Sequence, residues 1–313
     1  MPPKILVVSG PTASGKTRLA VELALQHNGE VVSSDSMQIY RRMDIGTAKP
    51  TQEEMRGVPH HMIDVADPAE DFSVARYVEM AARCVDDILS RGKLPIVAGG
   101  TGLYIDSLLS GRTFAQFDTA SPLRAELEER IRTQGGQALL EELAQVDPDS
   151  AARLHPNDEK RIVRALEVYL STGKTITQHN IETQSIPPRY DALTLTLAFA
   201  RREDMWARID RRVDEMMEAG LVDEVQSLLD SGVPQRCTAM QAIGYKEMAA
   251  ALRGDGDTAA AAEEIKLRSR QYAKRQLTWF RRTPQAKWIF WDAVPDFTAA
   301  LHASTGYLKE FGI

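Results

Sequence analysis

The sequence predicts an α/β protein: a parallel sheet flanked by helices, with a helical insertion in its middle. Three observations predict it. Short apolar runs alternate with amphipathic helical stretches, the pattern of a parallel sheet covered on both faces. The first run, Ile5-Leu6-Val7-Val8, leads into Gly10-Pro11-Thr12-Ala13-Ser14-Gly15-Lys16-Thr17 and then a helical run through Leu25. That is the strand, loop and helix order that a phosphate cradle requires. Between Arg112 and about Pro188 no strand pattern is visible.

Residues 5–8 read as a buried strand. In the loop after it, Gly10 and Gly15 let successive backbone N–H groups turn inward. The helix starting near Lys16 adds the positive end of its dipole. Lys16 contributes a full charge and Thr17 a hydroxyl for a divalent cation, Mg2+ in loops of this kind. An ordinary glycine-rich turn would not explain a strand before it and a helix after it. The core is therefore expected to be P-loop NTPase-like.

Residues 30–33 are the second strand, followed by Ser34-Asp35-Ser36-Met37-Gln38. Ligands of open parallel sheets bind beyond the carboxyl ends of the strands, so Asp35 falls on the active rim. It could hold a metal, take a proton, or simply cap a helix. Residues 74–89 carry Val74, Tyr77, Val78, Ala81, Cys84, Val85 and Ile88 at helical spacing, with Ser73 as cap and Gly92 beyond the end. Residues 94–98 are the third strand and run into Gly99-Gly100-Thr101-Gly102. The glycines let backbone approach a ligand around one hydroxyl, Thr101, which could equally be a helix cap.

The insertion reads as helices over 122–133, 137–145 and 158–170, closed by the stiff pair Pro187-Pro188. The expected organisation is a core of 1–114 with 189–313 and an insertion of 115–188. A strand-like alternating run follows at 193–200. Residues 202–280 are helical, with Ile209, Val213, Met216, Val225, Leu228 and Leu229 on one face, and 288–291 is the last apolar run.

The bulk numbers fit an ordinary globular chain of 313 residues, 43% apolar and 26% charged. No stretch approaches the ~20 apolar residues of a membrane span. Met1-Pro2-Pro3-Lys4 leaves no room for a signal peptide before the first strand, and Cys84 and Cys237 form no C-x-x-C pair, so a reducing cytoplasm is expected. Cys84 reads as core.

A net charge of −6 argues against nucleic acid, but the average hides an asymmetry. Residues 265–291 contain no Asp or Glu and carry Lys266, Arg268, Arg270, Lys274, Arg275, Arg281, Arg282 and Lys287, with Tyr272, Trp279, Phe280 and Trp288 interleaved. That is an RNA-backbone footprint or a solvated helix face with inward aromatics. The residues leave both open.

Absences narrow the chemistry. The third strand ends in glycines where a motor NTPase or GTPase would place a magnesium-holding Asp. No second phosphate-gripping kinase motif appears. Asp86-Asp87 lies mid-helix without the third acid of a prenyl-synthase metal motif. The cradle could therefore hold a pyrophosphate as a leaving group rather than a triphosphate as a donor.

Longer motifs make a resemblance specific. Besides the loop at 10–17, the chain contains S-D-S-M-Q-I-Y at 34–40, M-D-I-G-T-A-K-P at 43–50, H-H-M-I-D at 60–64 and G-G-T-G-L-Y at 99–104. Further on come H-P-N-D-x-x-R-I at 155–162, R-A-L-E-V at 164–168, Q-A-I-G-Y at 241–245 and A-K-R-Q-L-T-W-F at 273–280. In this order, over most of the chain, they resemble the tRNA dimethylallyltransferase (isopentenyltransferase) family. Lys160 departs from the glutamine common in the family at that position.

The resemblance implies transfer of a dimethylallyl group from dimethylallyl pyrophosphate to the exocyclic N6 amine of an adenosine. That adenosine lies 3′ of the anticodon in tRNAs reading codons that begin with U. It implies an anticodon arm gripped between the two domains, with the target base flipped into a channel. Pyrophosphate would sit on Gly10, Thr12, Ala13, Ser14, Gly15, Lys16 and Thr17, with Mg2+ near Thr17. Arg212 would be the second clamp and Arg208 its alternative. Asp35 would take the amine proton and Thr101 would orient the amine. Ser36, Met37 and Gln38 would line the base pocket. Leu123, Glu159, Lys160, Arg161, Ile162, Val163, Gln241, Lys274, Arg275 and Gln276 would meet the tRNA. A monomer is the simplest expectation. His60 and His61, adjacent on an extended segment, point opposite ways and are not expected to act as a pair.

Two other readings compete. A small-molecule kinase would hold ATP in the same cradle, but no arginine-bearing lid follows Gly102. A non-catalytic RNA-binding protein with a relic site should have lost one of Lys16, Thr17, Asp35 and Thr101, and all are present.

Overall fold

The structure, a computed structural model, describes residues 2–111, 121–184, 186–254 and 256–313. They fall into two compact units, Met1–Leu109 with Arg189–Ile313, and Ser110–Pro188. The boundary expected at 114–115 lies outside the described residues.

The first unit begins β1 (Lys4–Ser9), α1 (Lys16–Gln26), β2 (Gly29–Ser33), α2 (Gln52–Met55), β3 (His60–His61), α3 (Val74–Ser90), β4 (Leu94–Gly99) and α4 (Gly102–Ser110). The second unit holds α5 (Pro122–Gln134), α6 (Gly136–Val146), α7 (Pro148–Ala151), α8 (Glu159–Thr172) and α9 (Ile176–Gln184). The first resumes with β5 (Asp191–Phe199), α10 (Arg202–Glu218), α11 (Leu221–Asp230), a 3-10 turn (Ala239–Gln241), α12 (Tyr245–Arg253), α13 (Thr258–Phe280), β6 (Lys287–Trp291) and α14 (Phe297–Phe311).

The strands form one sheet in the order β3-β2-β4-β1-β5-β6, every pair parallel. β1 is buried on both faces, and its side chains divide by the strand period. Ile5 and Val7 join one apolar cluster with Tyr77, Val85 and Val97, while Leu6 and Val8 join the other with Leu19, Leu23 and Leu195. β5 does not alternate between core and solvent. Thr194 and Thr196 are buried too, and the Thr196 hydroxyl meets Ser9 Oγ at 2.9 Å. The helix expected at 74–89 is α3, capped by Ser73 Oγ accepting from Arg76 N–H. Cys84 is half-buried, packed against the core rather than within it. The two-residue β3 and the C-terminal α14 carry patterns too short or too mixed to read from the sequence.

The helical unit has its own core, in which Leu127, Ile131, Leu139, Leu143, Ile162 and Leu166 are buried. Its buried Glu167 accepts hydrogen bonds from Arg124 and Arg164. Among the described residues no helix is long and apolar enough to cross a membrane.

Candidate active site

Three of the parallel strands end on one rim, and the loops leaving β1, β2 and β4 carry the expected chemistry. The β1–α1 loop turns through Ala13 at φ 60° and Gly15 at φ 84°. A Cβ on Gly15 would meet the Phe297 ring at 2.8 Å, so glycine is required by conformation and by space. The loop is braced from the C-terminal segment. Trp291 Nε1 donates to the Ser14 carbonyl at 2.7 Å, and Arg18 lies 4.1 Å over the Phe297 ring.

Lys16 folds across the loop and donates to the Pro11 carbonyl at 2.6 Å. Burial pushes its ammonium down to about 8, against the pull of the Asp35 carboxylate and with the push of Arg212. No described carboxylate pairs with Lys16 or Arg212. The Ser14 hydroxyl is buried and accepts or donates nothing among the described residues. A cradle with an unpaired ammonium, a buried orphan hydroxyl and a helix N-terminus fits an anion.

The β4–α4 loop owes its glycines to close packing. A Cβ on Gly99 would lie 2.4 Å from Ser34 Oγ, one on Gly100 would lie 2.3 Å from Gln276 Nε2, and one on Gly102 would lie 2.3 Å from the Trp279 ring. These contacts let the ends of β4 and β2 touch. Thr101 then reaches across, its hydroxyl accepting from Ser36 N–H at 3.1 Å and donating to Ser36 Oγ at 3.3 Å. Asp35 Oδ1 accepts from the N–H groups of Met37 and Gln38, so one carboxylate oxygen caps the turn. No described residue donates to Oδ2. Asp35 is thus both cap and available base.

A cavity of about 330 Å³ opens beside the cradle. Its polar lining includes Thr12, Asp35, Ser36, Arg212, Gln241, Tyr272 and Arg275. Its apolar wall is made by Met37, Ile209, Val213, Met216, Ile243 and Ile265. Ile209, Arg212, Val213 and Met216 share one face of α10, and Ile265, Ser269 and Tyr272 share one face of α13. Burial pushes the Arg212 guanidinium below its ordinary value. Burial also pushes the Tyr272 phenol up to about 12. Arg208, one turn earlier, turns instead to the loop, its Nε donating to the Ala13 carbonyl at 2.9 Å. Arg212 lines the cavity and Arg208 holds the backbone of the cradle.

Other expected contacts divide by exposure. Lys160, Arg161 and Glu159 are exposed on the helical unit, and Lys274, Arg275 and Gln241 are exposed on the sheet unit. Leu123 is partly buried against the helical core. Three residues expected to meet RNA are not presented for it. Ile162 and Val163 are core side chains, at 0% and 4% exposure. Gln276 is buried, its Oε1 accepting from Thr12 N–H at 2.9 Å and its Nε2 donating to the Gly100 carbonyl at 2.9 Å. It ties the cradle to the third strand end, so the Thr12 amide is already engaged. Gln38 is likewise committed, donating to the Thr47 and Ala48 carbonyls.

The basic run on α13 also divides. Lys266 pairs with Asp214 and Glu263, Arg268 with Glu264, and Arg270 with Asp210. Lys274, Arg275, Arg281 and Arg282 pair with no described carboxylate. The first half is a neutralised helix face and the second half is free cation. His60 and His61 point apart, Nδ1 of the first to the Val58 carbonyl and Nε2 of the second to Glu30, each at 2.8 Å.

No group of three or more His, Cys, Asp or Glu among the described residues could cage a metal. Mg2+ at phosphate sites needs no such cage, taking one or two protein oxygens and the rest from phosphate and water. The Thr17 hydroxyl, in the first turn of α1, fits that requirement.

The IPP transferase family model matches residues 38–283. The chain is 49% identical over 309 residues to a tRNA dimethylallyltransferase of Geobacter sulfurreducens, covering 99% of this chain and 97% of that one. It is 46% identical over 309 residues to one of Acetivibrio thermocellus, covering 99% and 98%. Among solved structures it is similar to a full-length tRNA isopentenylpyrophosphate transferase of Bacillus halodurans, with 41% identity and a TM-score of 0.71 over 99% of this chain and 98% of that one. It is also similar to a eukaryotic dimethylallyltransferase acting on tRNA, with 31% identity and a TM-score of 0.83 over 98% and 80%.

Proposed function

The chain belongs to the IPP transferase family, and from that premise we propose that it is a tRNA dimethylallyltransferase. It moves the dimethylallyl group of dimethylallyl pyrophosphate to the N6 amine of the adenosine 3′ of the anticodon, in tRNAs reading codons that begin with U. Pyrophosphate leaves. The observation that carries this reading is the cavity: an apolar wall beside an unpaired cationic cradle, with one carboxylate oxygen free at its rim.

The allylic C–O bond breaks, and the electron pair leaves with pyrophosphate. Lys16, the cradle N–H groups and Arg212 hold the charge as it develops. The Thr17 hydroxyl would hold Mg2+, which when bound would further neutralise the same anion. Ile209, Val213, Met216 and Ile243 shield the allyl cation from water. The N6 lone pair forms the new C–N bond, and the proton it sheds goes to Asp35 Oδ2. Thr101 Oγ1, held by Ser36 N–H and in hydrogen-bond reach of Tyr272, aims the amine. The exposed cations Lys274 and Arg275 meet the phosphates of the anticodon arm, and Lys160 and Arg161 have the same role on the helical unit. We take the acting form to be a monomer.

The test is transfer of labelled dimethylallyl to an anticodon stem-loop with three consecutive adenosines at the target, with Mg2+. A loop lacking the target adenosine is the control, and ATP is offered in parallel as donor. Label on the adenosine loop alone is expected. ATP-dependent phosphorylation without allyl transfer would refute the reading.

A further inference from the structure

Glu224 lies in the first turn of α11 and does not line the cavity, yet it holds one of the cavity walls. Its carboxylate accepts three consecutive backbone N–H groups, of Asp44 at 2.8 Å, Ile45 at 2.8 Å and Gly46 at 3.1 Å. It also accepts the Tyr245 hydroxyl at 2.5 Å. A chain of successive N–H groups wrapped around one anion is a nest, and here the anion belongs to the protein. The carbonyl side of the same loop is held by Gln38, which donates to Thr47 and Ala48. Gly46 packs directly against Tyr245 at the start of α12 and Leu221 at the start of α11. A Cβ on Gly46 would lie 2.5 Å from the Tyr245 ring and 2.9 Å from Leu221.

The consequence is a wall of fixed position. Gly46, Thr47 and Ala48 line the cavity, as do Ile243 and Gly244, the two residues before Tyr245. Glu224 and Tyr245 therefore tie two wall segments together. The cavity, about 330 Å³, lies at the small end of ligand sites, so the position of each wall bears on which donor it takes. We propose that Glu224 is a positioning residue that, with Tyr245, sets the width of the allyl pocket. It thereby fixes the affinity for the five-carbon donor and the exclusion of longer ones. The inference rests on the transferase reading above.

The experiment compares the full chain with Glu224→Gln and Tyr245→Phe in steady-state transfer to the stem-loop. Dimethylallyl pyrophosphate and geranyl pyrophosphate serve as donors, and thermal midpoints are recorded. Glu224→Gln turns an amide N–H towards backbone donors. It is expected to raise KM for dimethylallyl pyrophosphate about tenfold and to narrow the five- over ten-carbon preference about tenfold, with KM for RNA unchanged. Tyr245→Phe keeps the ring against Gly46 and removes one of four donors, so a change of about threefold in the same direction is expected. A lower midpoint with wild-type donor KM and wild-type preference in Glu224→Gln would show a structural role only and overturn the proposal. If Glu224→Gln does not fold, wild-type preference in Tyr245→Phe overturns it. If the wild-type chain transfers no allyl group, the functional reading fails. Transfer by the wild type with unaltered variants defeats this inference alone.

Discussion

The two ends of β2 carry acids in opposite circumstances. At its start Glu30 is buried and fully answered, with Arg91 donating to both oxygens and Lys93 and His61 adding a bond each. Just beyond its other end Asp35 is half-buried, with one oxygen capping a turn and the other unanswered. Near Asp35 stand Lys16 and Arg212, two desolvated cations that pair with no described carboxylate. One cluster spends its charges on itself and can only hold the fold. The other leaves two cations and one carboxylate oxygen for something else, at the rim where parallel sheets bind ligands. Charge density does not distinguish the two ends; unspent charge does.

The sharpest way to break that contrast is to remove the unspent cation. Lys16→Ala should lower kcat/KM for allyl transfer about 10³-fold, measured by single turnover, because it removes a charge from the leaving anion. Its thermal midpoint should hold or rise, since a desolvated ammonium with no carboxylate partner is gone. Near-wild-type transfer would remove Lys16 from the cradle.

Asp35→Asn should lower turnover about 10²-fold or more with donor affinity kept. Asparagine can still accept from Met37 and Gln38, so the cap survives while the base does not. Equal losses in Asp35→Asn and Asp35→Ala sharpen the reading of a base. Full activity in the asparagine variant would leave only the cap.

The pH dependence separates stability from activity at one residue. Lys16 is depressed to about 8 from 10.5, so above pH 8 the folded cradle loses its charge while the unfolded chain keeps it. Between those values the unfolded state binds more protons, and this group favours folding increasingly as pH rises. Transfer should run the other way. kcat/KM should fall with an alkaline limb near pH 8, by about tenfold per unit beyond it. Lys16→Met should abolish that limb.

The smallest functional effect is expected at the answered end. Hydrogen bonds from Arg91 hold the Glu30 carboxyl well below its ordinary value, so its stabilisation is present above pH 4.5 and is lost as pH falls. Glu30→Gln should lower the thermal midpoint by several degrees at pH 7 and leave both KM values unchanged. A change in KM for either substrate would show that the two ends of β2 communicate.

Much of the site was legible in advance because its parts are local. The cradle needs only glycines, Lys16 and Thr17 between a strand and a helix, and that spacing is visible in eight residues. Asp35 and Thr101 follow from strand ends on one rim. The pattern on α3, with its Ser73 cap, is local in the same sense. Basic residues on α13 were legible as a run, but not which of them were spent. Arg268 pairs with Glu264 one turn earlier, which spacing allows, but Lys266 and Arg270 find Asp214 and Asp210 on α10, of which sequence proximity says nothing.

Residue order alone was enough for the sheet class, the glycine-rich loop between β1 and α1, the rim residues and, through the long motifs, the family. Only the tertiary structure decided how the site is walled and braced. Gln276 spans 176 residues to reach Gly100, Glu224 spans 180 to reach Asp44, and Trp291 spans 277 to reach Ser14. Gln276 and Glu224 are polar side chains whose local context suits a solvent-facing role equally well, and Trp291 reads from its apolar run as core with no sign of where its N–H will bond. Hydrogen-bond partners at such separation are set by which helices pack on which face of the sheet. Periodicity specifies the face a residue occupies on its own element, not the group it will meet there.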